Sequence, residues 1–220
     1  MEPDVHEFAR YAAPSTADEI ELVRRHPFAL LVSAPTAGAP VATHLPVVFP
    51  QGQPLPGSWE GATLLGHLAR ANPQWRDLAG REVLLVFSGP DGYVSPTAYG
   101  YTPAVPTWNY AAVHLTGTVE LVDGPAGTLD VVEQTVLALE SQRDPSWDLT
   151  SSREKFASLV EHVVAFRVRV RTARSVFKLS QDMPADVRQR VRADVSETAP
   201  GGEALAAMMR RYDGPPATTG

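Results

Sequence analysis

"FALLVSAPTAGAPVATHLPVVF", residues 28–49, holds two apolar, β-branched runs separated by prolines and a glycine. Each run is too short for a buried helix, and its punctuation is that of strands and turns. The same spacing recurs in "ATLLGHLA" (62–69) and "EVLLVFSG" (82–89), and a longer run follows in "AAVHLTGTVELVD" (111–123). Strands joined by such short connections pair antiparallel, and closing the sheet removes its exposed edges. Residues 28–122 are therefore expected to form an antiparallel sheet that closes into a barrel.

Helical patterns surround this block. "STADEIELVRRHP" (15–27) offers Ser15 or Thr16 as an N-cap, carries acids in its first turn and bases in its last, and stops at Pro27. In "TLDVVEQTVLALESQRD" (128–144), Leu129, Val132, Val136 and Leu139 recur at spacings of three and four, predicting an amphipathic helix that starts near Thr128 or Asp130. "SREKFASLVEHV" (152–163) reads as another. "VAFRVRVRTARSVFKLSQ" (164–181) sets Phe166, Val168 and Val170 against Arg167, Arg169 and Arg171, the period of a strand with one basic face. "DMPADVRQRVRADV" (182–195) opens with Asp182 as a cap and spaces Val187, Val191 and Val195 four apart, and "EALAAMMRRY" (203–212) makes a last short helix. One domain over 1–220 is expected: a barrel core at about 27–181, C-terminal helices at about 183–212 and a frayed tail at 213–220.

Composition narrows the chemistry. The net charge of −6 and a pI near 5.5 give no general attraction for phosphodiester backbones. The arginines of "VRQRVRADV" follow no helix-turn-helix and are diluted by Asp186 and Asp194, so they are read as exposed helix surface and no nucleic acid is expected. No cysteine is present, which removes disulfides, thiolate zinc and iron–sulfur sites, and thiolate-ligated haem. The start "MEPDVHEFAR" is unlike a secretion signal and no run reaches the ~18 apolar residues of a membrane span, so a cytoplasmic protein without a membrane partner is expected.

Phosphate-loop, dinucleotide, GxSxG and HExxH motifs are absent, and no two of His6, His26, His44, His67, His114 and His162 stand four apart. "GHLARANPQW" (66–75) carries more polar groups than a strand-to-helix connection needs, which points to a ligand; its His67 falls beside a strand-to-loop junction. His44 and His114 lie inside strand patterns, where a core or hydrogen-bonded role accounts for them. Tyr93, Tyr99, Tyr101, Trp108 and Tyr110 crowd residues 93–110, as a wall for a flat ligand, a barrel plug or a dimer interface would. "FKLSQ" (177–181) gathers Lys178, Ser180 and Gln181, a set able to hold a phosphate or a propionate or to end a strand in solvent.

Taken in order, "ATHLP" (42–46), "GHLARANPQW", "GPDGYVSP" (89–96), "VPTWNY" (105–110), "VHLTG" (113–117) and "FKLSQ" resemble the PaiB-like family of FMN-binding split-barrel proteins, over about residues 27–190. The resemblance implies an α+β split β-barrel, mostly antiparallel, with peripheral helices and a C-terminal helical extension, working as a homodimer with sites between subunits. Many members are labelled negative transcriptional regulators, whose pattern runs more like FQGPHAYVSPSWY and KLSQN. Here those stretches read "FSGPDGYVSPTAYGYTPAVPTWNY" (87–110) and "KLSQD" (178–182), which look more like the haem-dependent piperazate synthases.

That branch implies closure of an N–N bond in N5-hydroxyornithine, a small amino-acid substrate, to give piperazic acid on haem b. By this resemblance His67 is the axial ligand of the haem iron. Lys178 is a possible second axial ligand, a propionate partner or the proton acceptor; His67 and Lys178 are thus the catalytic candidates. Arg70, Asn72 and Gln181 would hold carboxylates, Trp75, Tyr93 and Trp108 the macrocycle, and His44 and His114 stand as fallback ligands. The alternative is an FMN-binding regulator or flavoprotein in which Lys178, Ser180 and Arg70 grip the phosphate.

Overall fold

In the computed structural model, which describes residues 9–35 and 38–213, the runs of residues 28–49 become strands β1 (Phe28–Ser33) and β2 (Val41–Val48). They pair antiparallel from Phe28 opposite Pro46 to Ser33 opposite Val41. Ala29, Leu31 and Ser33 of β1 are buried, the alternation that a strand with one core face produces. β3 (Thr63–Ala69), β4 (Glu82–Val94), β5 (Thr107–Leu121) and β6 (Val163–Lys178) complete a ring in the order β1-β2-β3-β6-β5-β4, closed by Leu30–Ser33 against Val86–Val83. The expected antiparallel barrel is present, but residues 28–122 do not close it alone. β6 sits between β3 and β5, with Phe166, Val168 and Val170 buried.

Among the described residues five helices accompany the strands: α1 (Thr16–Arg25), α2 (Gly124–Glu140), α3 (Arg153–Leu159), α4 (Ala185–Thr198) and α5 (Gly202–Arg211). Two compact units divide the described residues, one drawn from the spans 19–87 and 113–174 and the other from 9–18, 88–112 and 175–213. In the first, α2 covers the outer face of β2, β3 and β6, where Val131 packs with Val48, Leu65 and Ala165, and Val122 and Ala138 extend the cluster. Apolar burial of this kind contributes about 25 cal/mol per Å². In the second, Val187, Val191 and Val195 of α4 are buried, as their four-residue spacing predicts.

Several boundaries and roles differ from the sequence expectation. β4 continues through Gly89-Pro90-Asp91-Gly92 to Val94, a stretch that reads as a turn. A Cβ on Gly92 would stand 2.9 Å from Leu205 and 3.2 Å from Ala199, so this glycine serves close packing within a strand. β5 begins at Thr107, four residues early, and α2 begins at Gly124, behind Asp123 at the cap position. The helix expected over 152–163 is confined to Arg153–Leu159, with short 3₁₀ turns on either side.

Asp182 does not cap α4, whose cap position is Pro184; its carboxylate instead accepts a hydrogen bond from Tyr11 Oη at 2.9 Å. Nor are the α4 arginines merely solvated. Arg188 is buried and pairs with Asp213 at 2.5 Å, Arg192 bonds the same carboxylate, and Arg190 donates to the carbonyls of Ala98 and Tyr99. Asp213, first residue of the expected tail, is thereby tied down, and residues 214–220 lie outside the described residues. Among the described residues no helix is long and apolar enough to cross a membrane.

Candidate functional site

The stretch 66–75 is built mostly for folding. Gly66 faces the core, where a Cβ would stand 2.5 Å from Phe166 Cζ, so the ring needs a glycine there. Arg70 donates to the carbonyls of Glu161 at 2.7 Å and Val163 at 3.0 Å, and its guanidinium lies 5.6 Å from the Trp75 ring centroid. Trp75 Nε1 returns a hydrogen bond to the Arg70 carbonyl at 2.9 Å. Asn72 caps the 3₁₀ turn Pro73–Asp77 by accepting from Gln74 N at 3.0 Å, and donates to Thr43 Oγ1 at 2.9 Å. Gln74, absent from the expected site residues, is buried and joins Thr43, Ser33 and the Val41 carbonyl.

His67 is the exception in this stretch. Opposite Ala165 on β3, it shares the outer face with Leu65 and is half-buried. Burial pushes its pKa below the ordinary imidazole value, so the ring is neutral at neutral pH. Its Nδ1 is buried and has no hydrogen-bond partner. A neutral imidazole is the donor type that iron in a macrocycle takes, but Nδ1 is enclosed, so Nε2 is the nitrogen that would meet the iron. His114 on β5 is also half-buried with a lowered pKa, whereas His44 is exposed and stacks on Phe28 at 5.6 Å. Among the described residues no three His, Asp or Glu side chains gather to hold a bare metal ion.

The other expected residues fall in the second unit. Lys178, at the end of β6, donates to Thr107 Oγ1 and lies 5.7 Å from the Tyr11 ring centroid. Tyr11 itself is held protonated, its pKa pushed up to about 12 by burial and by Asp182. Ser180 adopts the left-handed φ of 62° and is locked by Asn109, whose amide donates to its hydroxyl at 2.8 Å. Gln181 accepts from Leu179 N and donates to the carbonyls of Phe177 and Arg10. Of this trio, only Lys178 carries a charge able to meet an anion.

Tyr93 and Trp108 are each 49% exposed, with ring centroids 6.2 Å apart at 60°. They line an open groove of about 560 Å³ together with Asp91, Ser95, Asp194 and Thr198. Asp91 accepts the Trp108 indole N–H at 2.9 Å. Asp91 belongs to the "GPDGYVSP" motif, but nothing local in the sequence links Asp194 or Thr198 of α4 to it. Their shared lining comes from tertiary packing.

Comparison with known proteins agrees with this architecture. A Bacillus subtilis (strain 168) protein, "Protease synthase and sporulation protein PAI 2", is 30% identical over 208 residues, covering 91% of this chain and 94% of that one. Among solved structures, the FAD and heme binding protein from Mycobacterium smegmatis aligns with a TM-score of 0.53 at 15% identity, over 76% of this chain and 73% of its own. The flavocytochrome Anf3 from Azotobacter vinelandii aligns at 0.55 with 17% identity, over 79% and 72%. At such identities these two likenesses speak for the fold alone. The family described as "Putative FMN-binding domain" matches residues 6–172, a span that holds β1 to β5 whole and β6 as far as Thr172, and this chain belongs to that family.

Proposed function

We propose that the protein binds haem b through His67 and closes the N–N bond of N5-hydroxy-L-ornithine to give L-piperazic acid. The observation that carries the cofactor assignment is the neutral, half-buried His67 imidazole on β3, whose Nε2 would meet the iron because Nδ1 is enclosed. Two proteins of similar fold are described as binding FAD and heme and as a flavocytochrome, which supports a flavin or haem ligand in general. The reaction is supported by the resemblance of residues 87–110 and 178–182 to the piperazate synthases.

Ring closure forms one N–N bond and breaks one N–O bond. The α-ammonium gives up two protons, one to a base and one to the departing hydroxyl, which leaves as water, and the hydroxylamine nitrogen is reduced as the α-nitrogen is oxidised, so the balance needs no external oxidant or reductant. Bound ferric haem supplies a Lewis acid that makes the hydroxyl oxygen a better leaving group. His67 would hold the iron. Lys178, with Thr107 and Tyr11 as neighbours, would hold a propionate or take the proton from the α-ammonium. A homodimer with cofactor sites between subunits belongs to the same proposal.

The second reading, an FMN-binding regulator or flavoprotein, is favoured by the family description. Lys178 would then meet the phosphate. One experiment separates the two: full-length protein is loaded with haemin or FMN, supplied with N5-hydroxy-L-ornithine, and followed by mass spectrometry. The haem-loaded protein is expected to release piperazic acid and His67→Ala to lose that activity. Tight FMN binding with no turnover by haem-loaded protein would overturn the cyclase reading.

A further inference from the structure

We infer that the groove formed by the outer end of β4, the first residues of β5 and the last turn of α4 binds a small organic cation through a primary ammonium group. This site goes beyond the proposed chemistry: it gives Tyr93 and Trp108 to a cation in place of the macrocycle expected of them from the sequence, and leaves His67 and Lys178 to the cofactor.

Three features agree on the sign of the ligand. Tyr93 and Trp108 are half exposed and line a groove of about 560 Å³, and an aromatic ring attracts a cation through its quadrupole. Asp91 accepts the Trp108 indole N–H through Oδ1, which fixes the ring and leaves a second carboxylate oxygen for a ligand. Asp194 approaches from α4 and its carboxylate makes no ion pair among the described residues. It lies in the last turns of a helix that ends at Thr198, where the carbonyl dipoles add negative potential.

What the groove lacks is equally informative. Among the described residues no lysine, arginine or histidine lines it. Arg190, one turn before Asp194, is held by Asp186 and by the carbonyls of Ala98 and Tyr99. A phosphate or propionate entering here would meet two carboxylates with no counter-charge, whereas an ammonium would meet two carboxylates and two aromatic rings. Of the anionic and cationic ligands of this size, the groove is built for the cationic one.

The test is calorimetric titration of the full-length protein, at low salt, with n-butylammonium chloride and with sodium butyrate, a cation and an anion of matched chain length. The expected result is binding of the amine alone, weakened about tenfold by Asp194→Asn and restored by Asp194→Glu. Trp108→Phe, which keeps an aromatic face, is expected to bind and Trp108→Ala to bind more weakly, all with unchanged circular dichroism. Butyrate binding as tightly as the amine, or Asp194→Asn without effect, would overturn the inference. So would sedimentation showing that Trp108→Ala converts a dimer to a monomer, because a second copy would then cover the groove.

Discussion

Residues 66–75 and residues 89–110 are equally crowded with polar and aromatic side chains, yet the structure uses the two stretches in opposite ways. In the first, Arg70, Asn72, Gln74 and Trp75 bond to backbone or to neighbouring side chains within their own unit, and Gly66 admits the Phe166 ring. In the second, Tyr93, Trp108 and one oxygen of Asp91 face an open groove. Density of polar residues does not by itself mark a ligand site; what separates the stretches is whether each group already has a partner.

If that contrast is right, substitutions of Gly66, Asn72 and Gln74 act on folding and those of the groove residues Tyr93, Trp108 and Asp91 do so little. Gly66→Ala forces a methyl against a fully buried ring and should cost about 2–3 kcal/mol, read from the urea midpoint with the slope unchanged. Gln74→Leu takes the donor from the Ser33 hydroxyl and the Val41 carbonyl and the acceptor from the Thr43 O–H, for an expected loss of about 2 kcal/mol by the same measurement. Asn72→Ala removes a helix cap and a bond to Thr43, and should cost about 1 kcal/mol. Trp108→Ala, by contrast, should lower stability by no more than about 0.5 kcal/mol, because the ring is half exposed. A loss for Trp108→Ala as large as that for Gln74→Leu would erase the distinction.

A smaller effect concerns acid. Burial lowers the pKa of His26, His67 and His114, so the folded protein keeps these rings neutral while the unfolded chain protonates them at the ordinary imidazole value. Their stability is complete above about pH 6.5 and is lost as pH falls below it toward the depressed folded values. Thermal melts from pH 7.5 to 5 should show the decline, and His67→Gln should make it shallower. An unchanged slope in that variant would mean the imidazole is better solvated than its position on β3 implies.

Much of the barrel was legible because strands with one buried face alternate at period two, as in β1 and β6. The place of β6 between β3 and β5 was not, since pairing order leaves no local trace. The extension of β4 through Asp91 was hidden because Gly92 has a turn residue's identity and a packing residue's task. Similarly, Arg188 looked like helix surface: its partner Asp213 lies 25 positions away, in a segment that reads as tail. At the site, the nitrogen donor at His67 and the Tyr93–Trp108 pair were visible as residues. The partners that remove Ser180, Gln181 and Asn72 from easy ligand contact, and the carboxylate of Asp194, come from packing.

The most direct measurement of the central claim is a haemin titration of His67→Gly against the natural sequence, with and without added imidazole. The account predicts a sharp Soret band near ~410 nm at one haem per chain in the natural protein, loss of that band in the variant, and its return when imidazole fills the vacated position. An identical Soret band in His67→Gly without imidazole would contradict it.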